Sequence, residues 1–445
     1  MRTECLRWLV IWGISCLGWA HATALPAGQE DLLTLTLERV VATYPSVQAA
    51  RASRIGSDAG YDAARWQYYP SPSINTERGT SDSASTVGNT TSTTLRLQQN
   101  LWAGGRIDAS VNAAKHRAQL GRIAIAQEKT TMATRVLDTW LTLLTNFGGR
   151  QAAQQGLDRL QSLSDMMDRR VERNVSASID AVLMRSRLTQ MQSELQTYAS
   201  AQAGAAQRLI DWAGEPDLQR GLSDDVLLTK ILRSKAEELP ASTPTSILNA
   251  LDTQPALRRN QAEIAVAQEE VLQKKGEAWP NVYVRVDRQF NDSDGGRVEV
   301  RSADTMVYLG LQYNPGAGLS LASSIRAAQS KVLALQQDRE AIRQDLQDRA
   351  STEWRNHLTI TSRLHQATEA VQSANQILQA YTRLFVVGRR SWLEVLNAAR
   401  ELFMAEQSLH TLQAQQVVGA YRLRILKGEF GWQNDNESGY SPLER

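Results

Sequence analysis

Arg65-Trp66-Gln67-Tyr68-Tyr69-Pro70-Ser71-Pro72 is answered, about 210 residues later, by Lys275-Gly276-Glu277-Ala278-Trp279-Pro280-Asn281. In both stretches a helical pattern ends in aromatic residues and a proline, and an alternating pattern begins. Working outward, the same spacing recurs. Pro45-Ser46-Val47 is answered by Pro255-Ala256-Leu257, and Ile179-Asp180-Ala181-Val182 by Leu393-Glu394-Val395-Leu396. A repeat this long predicts two similar structural halves, not a short-period solenoid. Each half reads as a helix, a short strand pair, a very long helix, a tight turn and a medium helix.

The first residues read as a secretory signal. Arg2 and Arg7 form its basic end, Leu9 to Trp19 its apolar run, and Ala20-His21-Ala22 a small-x-small cleavage site. Cys5 and Cys16, the only two cysteines, fall inside this segment. The expected mature chain therefore enters an oxidising compartment without needing a disulfide. The expected division is a signal over 1–22, a first repeat over 23–230, a second over 231–428, and a tail over 429–445.

The net charge of +2, with acids and bases interspersed, implies no strongly charged partner and gives nucleic acid no support. No apolar run after the signal reaches the roughly 18 residues of a membrane helix, so a mature chain that crosses a membrane must do so as a β-barrel.

Two regions, Gly105 to Arg173 and Ser320 to Val387, are poor in Gly and Pro and read as helices of roughly 100 Å. Leu120, Ile123, Gln127, Thr130, Thr134, Leu137, Leu141 and Leu144 step by threes and fours, a coiled-coil spacing. Leu396, Ala399, Leu402, Leu409, Leu412, Gln416 and Leu423 mark a similar stripe on a partner helix. Gly148-Gly149 is expected to kink the first long helix.

Four short alternating segments lie between the helices: Ser73–Gly79, Thr93–Trp102, Val282–Phe290 and Thr305–Tyr313. Leu95, Leu97 and Leu101 oppose Arg96, Gln98 and Asn100. Val282, Val284 and Val286 oppose Tyr283, Arg285 and Asp287. Val307, Leu309 and Leu311 oppose Tyr308 and Gln312. This period of two predicts an apolar outer face and a polar inner face carrying Arg96, Gln98, Arg285 and Asp287. Trp66, Tyr68, Tyr69, Trp102, Trp279 and Tyr313 all fall at strand ends that join helices. Aromatics at one level suit a membrane interface, although each could instead pack on its adjacent helix. Four strands cannot close a barrel, and an open edge cannot sit in lipid. Two copies would give a filled barrel and three a lumen, and the polar inner face favours water inside.

With Tyr69-Pro70-Ser71-Pro72-Ser73 at a strand entry, Asn100-Leu101-Trp102-Ala103-Gly104-Gly105-Arg106 at a strand exit, and Val387-Gly388-Arg389-Arg390-Ser391-Trp392-Leu393-Glu394-Val395-Leu396-Asn397-Ala398 after the second long helix, the chain resembles the TolC-like outer-membrane channels of efflux and type I secretion systems. The resemblance covers nearly all of the mature sequence. It implies a homotrimer with a twelve-stranded barrel in outer-membrane lipid and a helical tunnel in the periplasm. It also implies a periplasmic adaptor partner and an inner-membrane ABC transporter or proton-driven pump. The Leu101–Arg106 stretch is more similar to the secretion branch than to the drug-efflux branch. Export of an adhesin or toxin is the first reading and small-molecule efflux the second. A periplasmic adaptor is a more remote alternative, opposed by the two hairpins and two strand pairs.

The same resemblance implies that the periplasmic tip closes the tunnel. The turns at Asn174 and at Val387-Gly388 would meet the adaptor, and Asp180, Phe385, Arg390, Glu394 and Asn397 would line the aperture. Asn174 stands where the family usually has Gly, and Asn397 where a second acid is often found. From the residues alone, Arg390 and Glu394 read first as an ordinary i,i+4 pair on a solvated helix. Catalysis, metals and cofactors find no support. His116, His357, His365 and His410 lack a metal-site spacing. Asp292-Ser293-Asp294-Gly295 lacks the later ligands of a calcium loop. Gly316-Ala317-Gly318 reads as a bend, and Asn89-Thr90-Thr91 as a sequon without consequence in a bacterium.

Overall fold

The computed structural model describes residues 32–83, 86–216, 218–233, 250–294, 300–314 and 320–434. The signal sequence, the Gly316–Gly318 bend and most of the C-terminal tail lie outside them.

In the first half, α1 (Leu32–Thr43) and α2 (Pro45–Arg65) lead into strands β1 (Ser71–Ser83) and β2 (Thr86–Trp102). Helix α3 (Arg106–Glu172) and helix α4 (Ser178–Ala213) follow as an antiparallel hairpin. Two short helices, α5 (Leu218–Leu222) and α6 (Asp225–Arg233), close this half. In the second half, α7 (Pro255–Gly276) precedes β3 (Asn281–Asp294) and β4 (Val300–Gln312). Helix α8 (Leu321–Val386), helix α9 (Trp392–Lys427) and the single turn α10 (Gly431–Asn434) complete it. The order is repeated as the sequence predicts, with Pro at the first turn of both α2 and α7, where its missing N–H costs nothing. The strands exceed the predicted segments, because polar Ser/Thr-rich residues extend both hairpins.

The four strands form one antiparallel sheet in the order β1-β2-β3-β4. All the long helices leave the same end of it. Helix α3 has 67 residues and α8 has 66, about 100 Å each at the α-helical rise. Helix α3 is the spine: it packs against α2 and α7 near the sheet and against α4 and α9 further down.

The expected stripe covers only part of its core face. Leu137 and Leu144 are buried, Leu120, Ile123, Gln127, Thr130 and Leu141 half-buried and Thr134 exposed, while Met132, Val136, Trp140, Leu143 and Phe147 beside it are also buried. With neighbours on several sides, α3 buries more than one seam, so a single heptad stripe under-describes it. The α9 stripe is better placed: Leu396, Ala399, Leu402, Leu412 and Leu423 are all buried.

Gly148 and Gly149 do not interrupt α3, whose helical assignment runs through both. They are sites of close approach. A Cβ on Gly148 would lie 2.3 Å from the Cβ of His410 in α9, and one on Gly149 would lie 2.7 Å from the Tyr198 ring of α4. Burial at that contact holds the His410 imidazole below its ordinary pKa. Two main cores result. One joins α1, α3, α4, α6 and α9 around Trp140 and Phe147. The other joins α3, α4, α8 and α9 near the far turns, around Met184, Phe385 and Trp392.

Candidate functional site

The sheet is one functional surface. Its register sorts the residues onto two faces. Ser73, Arg96, Asp287 and Met306 are Cα partners across the four strands, as are Ser71, Gln98, Arg285 and Tyr308. The row between them contains Pro72, Leu97, Val286 and Val307 and points the opposite way. Arg96, Gln98, Arg285 and Asp287 therefore share one face, as the alternation predicts. Exposed Ile74, Leu97, Val307, Leu309 and Leu311 belong to strands whose other face is polar.

Asp287 organises the polar face. Its side chain is buried, although it lies on the sheet surface. Arg96 donates to both its carboxylate oxygens, Nε at 2.9 Å and Nη2 at 3.2 Å. Arg285 Nε lies 3.0 Å from Oδ2, and the Arg285 guanidinium stacks 4.4 Å over the Tyr308 ring. Two cations on one anion leave this level with a net positive charge per chain.

One feature of the register was not legible beforehand. A β-bulge between Asn100 and Trp102 shifts the pairing, so Trp102 partners Val282. The strict alternation that places Leu101 with Leu97 therefore fails at the last turn of the strand. The bulge aims Trp102 at Trp279, with ring centroids 5.9 Å apart and edge-to-face. Trp66, Tyr68, Tyr69, Trp102, Trp279 and Tyr313 are all exposed in the single chain. Tyr68 donates to Asp108 Oδ1 at 2.8 Å, and Trp66 packs on Tyr69.

The junction after β2 depends on Gly104 and Gly105, whose φ angles are 60° and 79°. A Cβ on Gly104 would stand 2.6 Å from the Trp279 Cβ and 2.8 Å from the Gly276 carbonyl. Glycine is required there on both counts.

The second surface is the far end of the helices. Asn174 and Gly388 both have positive φ, 57° and 75°. Val175 N–H donates to the Arg170 carbonyl and Asn174 N–H to Val171. Arg389 N–H donates to Leu384 and Gly388 N–H to Phe385. Both turns are thus the same six-to-one, five-to-two closure of a helix C-terminus, one built on Asn and one on Gly. Val387 is exposed beside the second turn.

Just past that turn, Ser391 caps α9 in a reciprocal capping box with Glu394. The Ser-x-x-Glu spacing was the signal for it. Glu394 also pairs with Arg390, whose guanidinium lies 4.6 Å over the Tyr381 ring. The Ser391 backbone N–H first, and then Arg390, hold the Glu394 carboxyl below its ordinary pKa, and Glu394 raises that of Arg390. Asp180, in the first turn of α4, is half-buried. Asn397 is exposed. Phe385, expected at the aperture, is instead buried between Arg170, 4.8 Å from its ring, and Trp392, 5.0 Å away. Within one chain the structure joins Arg390 to Glu394 and pairs neither with Asp180.

A sheet with one polar and one apolar face, two unpaired edge strands and helices of about 100 Å defines a subunit of a membrane channel with an extramembrane shaft. The sequence profile of the outer membrane efflux protein family matches residues 36–215 and 247–429, and the chain belongs to that family. Among curated proteins none matches in sequence. Solved structures share the fold. The channel protein CusC is 14% identical with a TM-score of 0.74, covering 91% of this chain and 95% of its own. A membrane protein from Pseudomonas aeruginosa is 15% identical at 0.75, covering 93% of both chains. The MtrE outer membrane channel of Neisseria gonorrhoeae, solved in an open state, is 14% identical at 0.72, covering 89% of both. The fold is that of the TolC-like channels. The protein is an outer-membrane channel with a periplasmic helical tunnel, in a family of channels and not of enzymes.

Proposed function

We propose that three copies of this chain close a twelve-stranded barrel and form a passive exit duct, with the polar face lining the lumen and the apolar face in lipid. The observation that carries this is the uneven burial of the two long helices. Helix α3 buries residues along its whole length, whereas α8 buries only Leu346, Ala350, Leu378 and Phe385. Leu333, Leu358 and Ile377 of α8 are exposed in the single chain. Helix α8 packs on α9 and α7, and because helical stability in proteins comes mostly from tertiary packing, its uncovered side is a surface for neighbouring copies. The free edges of β1 and β4 require the same neighbours. Energy for transport comes from an inner-membrane transporter, reached through a periplasmic adaptor at the Asn174 and Val387-Gly388 turns.

Type I secretion of a protein is the first reading of the cargo, supported by the similarity of the Leu101–Arg106 junction to that branch. Small-molecule efflux is the second, favoured by the description of the family itself. Deleting the gene separates them. Loss of one abundant extracellular protein supports secretion, and hypersensitivity to toxic small molecules with an unchanged secretome supports efflux.

At the tip, Asp180, Arg390, Glu394 and Asn397 are proposed to line the resting aperture. Because Arg390 and Glu394 are satisfied within one helix turn, any closing contact with Asp180 must come from an adjacent protomer. The Asp180→Ala, Arg390→Ala double variant should raise single-channel conductance in planar bilayers at least twofold with trimers intact. Unchanged conductance would return these residues to an ordinary helix cap.

A further inference from the structure

The apolar face of the sheet carries a cation. Cross-strand register places Ile74, Leu95, Arg288 and Thr305 in one row, on the same face as the row of Pro72, Leu97, Val286 and Val307. Arg288 is exposed, and its guanidinium carbon lies 5.3 Å from the centroid of the Phe290 ring. Phe290 is on the same face, one row further from the helices. The side chain thus leans away from the helical end of the sheet, towards the distal rim. Arg78 lies on this face too, one row beyond the row of Phe290, through its pairing with Thr91. Among the described residues, neither Arg288 nor Arg78 pairs with a carboxylate.

Depth gives this placement its meaning. From Val282 to Phe290 the strand climbs about 27 Å along its axis, or about 20 Å along the barrel axis at the usual tilt. The apolar band of an outer-membrane barrel is about 25 Å tall. The helices leave from the Val282 end into the periplasm, so Phe290 stands near the upper limit of the band, in the outer leaflet. Arg288 starts one row below that limit, with its stem among apolar neighbours. It carries its charge up to the limit, as a long cationic side chain does at a membrane boundary. A lipid-facing cation at that level, with no protein anion, is set against the headgroups. The anionic headgroups of an outer leaflet are those of phosphorylated glycolipid.

We propose that Arg288, backed by Phe290, binds the phosphate of a phosphorylated glycolipid in the outer leaflet, one site per protomer, with Arg78 as a second and more distal cation. The guanidinium offers paired donors to phosphate oxygens, and the ring of Phe290 holds it in place while presenting apolar surface to an acyl chain. The proposal rests on the assignment of the apolar face to lipid.

The test is to purify the trimer from outer membranes in mild detergent and quantify the retained phosphorylated glycolipid by mass spectrometry. Arg288→Ala should retain no more than about a third of the parental amount per trimer. Arg78→Ala should fall in between, and the lumen-face control Gln98→Ala should match the parent. Parental retention by Arg288→Ala overturns the proposal. Should that variant fail to assemble, the parent trimer is placed in vesicles containing the glycolipid with or without its phosphates. A higher dissociation temperature with the phosphates is expected, and equal temperatures overturn the proposal. A Leu309→Cys variant in intact membranes checks the underlying assignment. Labelling by a water-soluble maleimide removes the lipid-facing reading and this proposal with it, whereas a protected cysteine with unchanged glycolipid overturns the proposal alone.

Discussion

At the scale of single residues, the most demanding positions are those where backbone and space agree. Gly104 and Gly105 are adjacent and both have positive φ, yet only Gly104 faces neighbours close enough to forbid a Cβ. Gly105→Ala should cost about 1 kcal/mol, the ordinary penalty of a left-handed alanine. Gly104→Ala must in addition move the Trp279 side chain and the Gly276 carbonyl, and should cost about 3 kcal/mol or more. Thermal dissociation of the two variants side by side checks the difference, and equal losses would mean that the junction relaxes freely. The left-handed turns were legible from Asn174 and Gly388 alone, because few residue types favour that conformation. The burial of Phe385 was not legible. It depends on Trp392 and Arg170 arriving from two other helices, and no local signal distinguishes an aperture phenylalanine from a packed one.

At the scale of elements, alternation revealed the two faces of the sheet while burial and register had to come from the structure. Period two fixes which residues share a side but says nothing of a bulge, and so Leu101, expected on the side of Leu97, is instead the extra residue between Asn100 and Trp102. Length was underestimated for a related reason: Thr, Ser and Asn in both faces of the distal hairpins carry no hydrophobic alternation, yet pair in register. The Gly148-Gly149 break was misread because glycine in a helix signals either flexibility or a close neighbour, and only the tertiary contact with His410 and Tyr198 decides. The face assignment makes a sharp prediction. Leu97→Arg, in the row of Val286, places a cation on the apolar side near the middle of the band and should cost about 2–4 kcal/mol. Gln98→Arg, on the polar side, should cost less than about 1 kcal/mol. The yield of folded, heat-modifiable protein from outer membranes measures both, and similar losses would show that the two faces have been interchanged.

At the scale of the molecule, a single chain leaves apolar residues uncovered along α8, and these predict how the assembly comes apart. Leu333, Leu358 and Ile377 are 61%, 51% and 41% exposed in the single chain, spread along a helix that buries far fewer residues than α3. Fully covering a leucine stabilises by about 1.5–3 kcal/mol. Leu333→Glu with Leu358→Glu would remove about half of that gain twice at each interface, since each is only about half exposed, and place two carboxylates in its stead, so the loss should reach about 2–3 kcal/mol per interface before any charge penalty. The effect should be on association and not on the fold of the chain, since neither leucine contributes to a core described above. Helical content of the purified variant should therefore match the parent, while the heat-sensitive trimer on a gel should give way to monomer. Replacing the exposed polar residues Gln336 and Glu340 of the same helix by Ala should leave the trimer as it was, because no apolar surface is lost there. A double glutamate variant that still forms a trimer of parental stability would mean that the barrel strands alone hold the copies together and that α8 faces water or an adaptor instead of its neighbour.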